Sequence, residues 1–426
     1  MLRLHLAALL AAAAAVGACS ERRPPPSPRP VASVAIAQPA FPDLPTTPDA
    51  VTELVRRETA RPVGPERDVD ATEILATIAA RPETIVAGEG PVTRWIQRFL
   101  DAAGGDAYVL FGVWHDAPGQ VEAFRRLAGP GGLRGLTVVA TELFRADGDW
   151  GGVPIEVQRG DGAAIDAYVT DGEAEAFAGL TRSHRDADYA AWKLGFEPVV
   201  LDLLVNARAT GVRFLGCDMP AALQERSGAR PGGALLRLRE IHCLRSLPPE
   251  PRGRPRRAAL LWGQAHLQQR GLRRFLSPGT AVLGLHVFGR RLGGGVVETA
   301  LSKELDVLEP ALVPLGEGEA ALLLPDAQVG GRIDRVLVAA EPGEAVTPGV
   351  TARAEVPGVL VVGERSVEVG REPVAIALRE GEHGFVFRGG GRRVVGAVRL
   401  EAGHRVELGF DAKGGVTSYV ERAPGP

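Results

Sequence analysis

Two Gly-x-x-His segments stand far apart in the chain, Gly112-Val113-Trp114-His115 and Gly263-Gln264-Ala265-His266. Between them lie Thr141-Glu142 and Gly216-Cys217-Asp218. Imidazole and carboxylate groups together have two chemical uses. As ligands they suit Mn, Fe, Co, Ni or Zn. As a proton-transfer pair, a His acts as general base while Glu142 orients it. One such tetrad carries almost no information. Two of them, each after an apolar run and bracketing Glu142 and Asp218, carry more. The candidate catalytic residues are therefore Glu142, His115 and His266, and the candidate metal ligands are those three with Asp218. Asp218 also reads as a helix cap, because Met219-Pro220 follows it. His286 ends another apolar run and reads as a core histidine. His184 and His242 fall in helical or loop sequence and are expected at the surface. His383 and His404 lie in a β-rich tail with no partner spacing.

The elements that would position these groups are legible as alternation. Apolar, β-branched runs occur at Ala107–Phe111, Leu136–Ala140, Val212–Leu215, Ala258–Trp262 and Thr280–Leu285. Amphipathic stretches such as Pro91–Ala103 and Gly119–Leu127 separate them, and Tyr189–Ala209 reads as helical with a break near Pro198. Buried strands alternating with helices predict an α/β fold, a mostly parallel sheet flanked by helices. Such sheets bind ligands beyond the carboxyl ends of their strands, where each candidate residue falls. After about Gly289 the pattern changes to period-2 runs broken by turn residues. This predicts a small C-terminal antiparallel β-sandwich over 348–426, with the α/β domain over 69–342. The run Arg332–Ala340 reads as one more strand, expected to close the α/β sheet.

The chain has 426 residues, 45% hydrophobic and 24% charged, which excludes wholesale disorder. A net charge of −3 argues against a nucleic-acid partner recognised through global charge. Lys193, Lys303 and Lys413 are the only lysines, so arginine is abundant and no single Arg is given functional weight. Leu6 to Val16 is apolar but too short to span a bilayer, and it fits the core of a signal peptide over 1–19. Val16-Gly17-Ala18-Cys19 resembles a bacterial lipobox, which implies acylation of Cys19 and a membrane partner through that lipid anchor. Ser20 after the cysteine implies the outer membrane, facing the periplasm. Residues 20–68 are proline-rich and read as a tether. Cys217 and Cys243 are either a disulfide or two buried thiols.

From Tyr108 to His266 the sequence resembles the ChaN-like haem-uptake lipoproteins, grouped with Tiki, TraB and erythromycin-esterase proteins. The resemblance is carried by Phe111-Gly112-Val113-Trp114-His115-Asp116, Ala140-Thr141-Glu142-Leu143-Phe144, Phe196-Glu197-Pro198 and Gly263-Gln264-Ala265-His266. It implies a strand-end pocket binding haem or a divalent transition metal, with His115, Trp114, Tyr189 and His266 as cofactor-binding residues. It alternatively implies a metal-dependent peptide or ester hydrolase. A third reading is a non-catalytic surface lipoprotein whose C-terminal domain takes a protein partner. Many relatives have Glu directly after the first Gly, where this chain has Val113, so Asp116 or Glu142 would have to supply that carboxylate. Segments around Pro357–Val361, Val369–Pro373 and Leu378–His383 resemble a PEGA-type β module.

Overall fold

The computed structural model describes Glu53 and Arg56, then residues 69–426 apart from 149–154, 173–177, 179–196, 229–232, 249, 251–253, 269–270, 277–278, 317, 326–334, 340–347 and 424–426. One sheet carries the candidate site. Its strands are β1 (Val86–Ala87), β2 (Ala107–Val113), β3 (Val138–Arg145), β4 (Arg213–Asp218), β5 (Arg257–Gly263) and β6 (Ala281–Phe288). After β7 (Leu305–Val307), which belongs elsewhere, β8 (Ala311–Gly316) and β9 (Glu319–Leu323) complete it. The spatial order is β1-β8-β9-β6-β2-β5-β3-β4. Neighbours from β9 to β4 run parallel, and β8 and β1 add an antiparallel edge.

Parallel strands covered on both faces need unbroken apolar sequence, and β2 is buried at every position. The principal helices are α1 (Ala71–Ala80), α2 (Glu89–Ala102), α3 (Pro118–Ala128), α4 (Glu197–Thr210), α5 (Gly233–Ser246), α6 (Gln264–Gln268) and α7 (Val296–Glu304). Asp70 caps α1, its carboxylate accepting from Glu73 N at 2.8 Å. Pro118 opens α3, where its missing N–H has no helical partner to lose. On one face Ile96, Phe124 and Leu204 pack over Val109, Phe111 and Leu285. On the other Cys243 and Leu267 pack over Tyr108, Leu260 and Trp262.

The strands run further than their apolar cores predict. Leu143-Phe144 and Val287-Phe288 continue burial on the sheet, so Glu142 and His286 lie inside β3 and β6 rather than beyond them. Successive strands β2 and β3 are separated by β5. A chain that skips a neighbour opens a crevice at the strand ends. Three adjacent strands, β2, β5 and β3, carry His115, His266 and Glu142 to that edge.

The rest of the chain forms β10 (Arg335–Ala339), β11 (Gly349–Ala354), β12 (Gly358–Val362), β13 (Arg365–Val369), β14 (Val374–Ala377), β15 (Gly381–Gly389), β16 (Arg392–Leu400), β17 (Arg405–Phe410) and β18 (Val416–Ala423). They build two sheets, β13-β12-β15-β16-β7 and β10-β18-β17-β11-β14. Leu360, Phe387, Leu408 and Phe410 fill the space between them, with Phe387 and Phe410 stacked at 3.8 Å. The strand Arg335–Ala339 does not close the α/β sheet as expected; it lies parallel to β18. The near edge of the α/β sheet is already occupied, because β8 turns back on β9 and β1 pairs with β8. Strand β7, inside the segment read as α/β, runs parallel to β16 in the sandwich. Val386, Val395 and Ala397 share a core with Ile74, Ile78 and Val313. Among the described residues no helix is long and apolar enough to cross a membrane.

Candidate functional site

His115 sits in the turn that carries β2 into α3. Gln120 fixes this turn by accepting from Trp114 N at 2.7 Å, and Ala117 N donates to Trp114 O at 3.0 Å. Glu142 comes from β3, where pairing with β4 loses register between Thr141 and Arg145. Such an irregularity re-aims a side chain near the end of a strand. β5 passes straight into α6, which places His266 on the first helical turn. At Gly263 an added Cβ would stand 3.1 Å from Glu142 Oε1, so the glycine leaves room for the carboxylate.

These three groups meet. His115 Nε2 donates to Glu142 Oε1 at 2.7 Å, and His266 Nε2 lies 3.7 Å from Glu142 Oε2. Glu142 and His266 are buried, whereas His115 keeps 36% of its side chain exposed. Two residues on α5 complete the cluster. Arg239 donates to Glu142 Oε2 at 3.2 Å and to Asp218 Oδ1 at 2.6 Å. Glu240 accepts from His266 Nδ1 at 2.7 Å and is itself held by Arg237 at 2.7 and 2.9 Å. Asp218 thus touches Arg239, not an imidazole, and also accepts from Met219 N at 2.7 Å.

Helix α5 is fixed beside the site by a disulfide. Cys217, one residue before Asp218, is bonded to Cys243, with Cα atoms 4.5 Å apart. Of the two readings open for these cysteines, the pair is therefore the one realised.

Burial pushes Glu142 toward protonation, but the His115 hydrogen bond and the charges of His115, His266 and Arg239 outweigh it and hold the pKa down at about 2. Burial alone would lower His115; the bond and charge of Glu142 override it and raise its pKa above the usual value. Asp218 is raised by burial, against the opposing charge of Arg239. The pair is thus an anion beside an imidazole poised to accept or release a proton.

The remaining candidates sort clearly. The Trp114 ring lies under Arg291, whose guanidinium carbon is 3.9 Å from the ring centre. Asp116 stays out of the His115–Glu142 cluster, because it accepts from Arg291 Nε at 2.9 Å. Glu142 is the carboxylate that reaches His115. Tyr189, His184 and Cys19 lie outside the described residues. His286 is a buried core histidine, accepting from Gln264 at 2.9 Å and donating to Glu319 at 3.0 Å. His242 is not a surface residue: it is fully buried on α5 and donates to Ala146 O at 3.3 Å. Its helix is covered on that side by the loop after β3, which hydropathy alone does not reveal.

Sequence reasoning missed Arg237, Arg239 and Glu240. Abundance of arginine hid the first two. A signal for Glu240 did exist: Arg237, Glu240 and Cys243 recur every third residue and so share one helix face, and a disulfide cysteine faces inward.

The polar donor atoms of the cluster are paired with one another. Here His115 Nε2 and Glu142 Oε1 bind each other, Glu142 Oε2 and Asp218 bind a cationic guanidinium, and both ring nitrogens of His266 face carboxylates. Among the described residues no three His, Cys, Asp or Glu side chains are disposed around a metal position. No family model, curated protein or solved structure matches this chain.

Proposed function

We propose that the protein is a hydrolase of ester or amide bonds whose proton-transfer group is His115. One observation carries this reading: a partly exposed imidazole held at 2.7 Å by a buried, ionised carboxylate. With Nε2–H donated to Glu142, the basic lone pair is on Nδ1. His115 takes a proton from water as the water oxygen bonds to the substrate carbonyl carbon. The bond to the leaving group then breaks, and the same proton passes to that group. Glu142 stabilises the imidazolium between the two transfers. His266 and Arg239 keep Glu142 charged and correctly aimed, and Glu240 fixes the His266 ring.

The test is turnover of p-nitrophenyl butyrate. His115→Ala should lower kcat by about 10²-fold or more. Because His115 must be neutral to act as base, kcat/KM should rise with pH through a pKa above 6.5. Glu142→Gln removes the anion that raises this pKa, so the limb should move to lower pH while the rate falls. Wild-type protein inert toward esters and amides, with or without added metal, would end the hydrolase reading.

A second reading follows the ChaN-like resemblance: a lipoprotein binding haem or a metal. It is favoured by the facing of both Nε2 atoms toward Glu142, and by Glu240 on the far nitrogen of His266, as outer carboxylates hold ligating histidines. If Glu142 turned, His115, Glu142 and His266 could hold Mn, Fe, Co or Zn. A Soret band on haem addition, or bound metal by elemental analysis, would support it. Under either reading the proposal places the protein at a bacterial outer membrane through acylated Cys19. Palmitate labelling that survives Cys19→Ala would refute that anchor.

A further inference from the structure

A chain of polar side chains crosses the sheet face under α6. It starts at Arg273, whose Nη1 donates to Glu319 Oε1 at 3.0 Å and whose Nη2 donates to Gly318 O at 2.9 Å. Glu319 opens β9 and accepts from His286 Nε2 on β6 at 3.0 Å. His286 Nδ1 in turn accepts from Gln264 Nε2 at 2.9 Å. Gln264, His286 and Glu319 are all buried. With Nε2–H given to Glu319 and Nδ1 accepting, the imidazole is neutral, and Arg273 answers the charge of Glu319.

The chain has to pass over β2. In register, Gly112 stands between Trp262 of β5 and His286 of β6. Gln264 is the first residue of α6, immediately after β5, so its amide reaches His286 across Gly112. A Cβ at Gly112 would collide with Gln264 Oε1 and stand 2.9 Å from Leu267 Cδ2. Gly284 leaves the same kind of room for Glu319. Gln264 and Leu267 thus seat α6 on the backbone of β2, and His266 lies between them in sequence. Gly112 is three residues before His115. The seat therefore joins the two histidine-bearing turns to each other. Glu240 and the edge-on Trp262 ring, 4.7 Å from that of His266, orient the imidazole, but neither stands on β2. Gln264 Oε1 is buried with no hydrogen-bond partner among the described residues. An amide carried at that cost is explained when its position is what matters.

We propose that Gln264 is a positioning residue: anchored by His286, Glu319 and Arg273, it sets the place of His266 beside the Glu142–His115 pair. This rests on His266 acting next to Glu142, which both readings of the site share, and not on hydrolysis itself. A hydrogen-bonded amide is fixed in direction, whereas an aliphatic chain of the same length is not. Without the anchor, the first turn of α6 shifts along β2 and His266 Nε2 leaves its place 3.7 Å from Glu142 Oε2.

The experiment uses the whole protein with isotope-labelled histidine and reads the imidazole resonances by NMR. In the wild type, His286 is expected as the neutral Nε2–H tautomer. His266 is expected to show a downfield Nδ1–H resonance from its bond to Glu240, assigned by its loss in His266→Ala. Two variants break the seat without touching His266. Gln264→Met keeps the volume but has no donor for His286. Gly112→Ala keeps Gln264 but fills the space its amide occupies, in a regular strand whose backbone accepts alanine. In either folded variant the His266 resonance should shift or broaden. For p-nitrophenyl butyrate, kcat should fall about tenfold or more with KM changed less than about twofold. Loss of stability alone moves neither reading in the fraction that stays folded. An unchanged His266 resonance or an unchanged kcat in a folded variant overturns the proposal. So does wild-type His286 found as the Nδ1–H tautomer, which needs no variant. If the wild type turns over no ester, the hydrolase reading fails separately, and the His266 resonance decides the positioning role.

Discussion

His242 shows how a single buried titratable group sets the acid sensitivity of the molecule. Burial pulls its pKa down to about 4, against the Ala146 carbonyl, which opposes this. The folded chain therefore binds this proton less readily than the unfolded chain does. Stability associated with neutral His242 is complete above the unfolded pKa near 6.5 and is lost as pH falls toward 4. The loss between pH 7 and pH 4 amounts to roughly 3 kcal/mol. Chemical denaturation of His242→Gln should show a pH dependence flatter by about that amount over this range. Glu142 acts in the same direction at lower pH, since its depressed pKa gives stability that is present above about 4.5 and fades as pH falls through about 2. Glu240 tests a different point. Glu240→Gln keeps the size of the side chain but removes its charge from His266, and Arg237 is left buried with a neutral partner. It should lower kcat with little effect on KM, and a KM change alone would show that Glu240 does not work through the catalytic cluster.

At the scale of elements, the sequence showed where chemistry would collect more clearly than how it would be held. Gly112 and Gly263 lie at the ends of β2 and β5 not to turn the chain but to make room, since a Cβ there would meet the side chains of Gln264 and Glu142, and both histidines follow at the same offset. Glu142 was legible as a carboxylate at a strand end. Glu142 reaches His115 from β3, across the intervening strand β5. The support on α5 was not legible. Arg239 and Glu240 act by position on a helix packed beside β4, and a one-dimensional pattern does not record which face of a helix meets a sheet edge. The disulfide is the link between the two elements. Cys217 lies beside Asp218, and Cys243 lies one turn beyond Arg239 and Glu240. Replacing both cysteines by Ala should cost about 3 kcal/mol by the loop-closure argument. It should also reduce turnover in protein that remains folded, because α5 loses its covalent register to β4. Equal activity in the folded double variant would show that packing alone aligns the helix.

At the scale of the molecule, the α/β class and the β-sandwich were readable from the switch between helical and period-2 patterning. The seam between them was not. Strands β7 and β10 are short and carry no mark of their partners, since strand pairing depends on which edge is vacant after the rest has folded. Truncation after residue 342 would remove Val386, Val395 and Ala397 from the core they share with Ile74, Ile78 and Val313. Such a fragment is expected to aggregate or to lose cooperative unfolding, as read by sedimentation and thermal melting. A monomeric fragment with a sharp transition would show that the α/β half folds alone.

The placement of β7 also bears on how the chain is made. Leu305–Val307 precedes β8 and β9 in the chain, yet its hydrogen-bonding edge is answered only by Arg393–Val395. Until those C-terminal residues are in place, the apolar core that Val395 shares with Ile74 and Val313 is incomplete, so the two halves are expected to reach their final packing together.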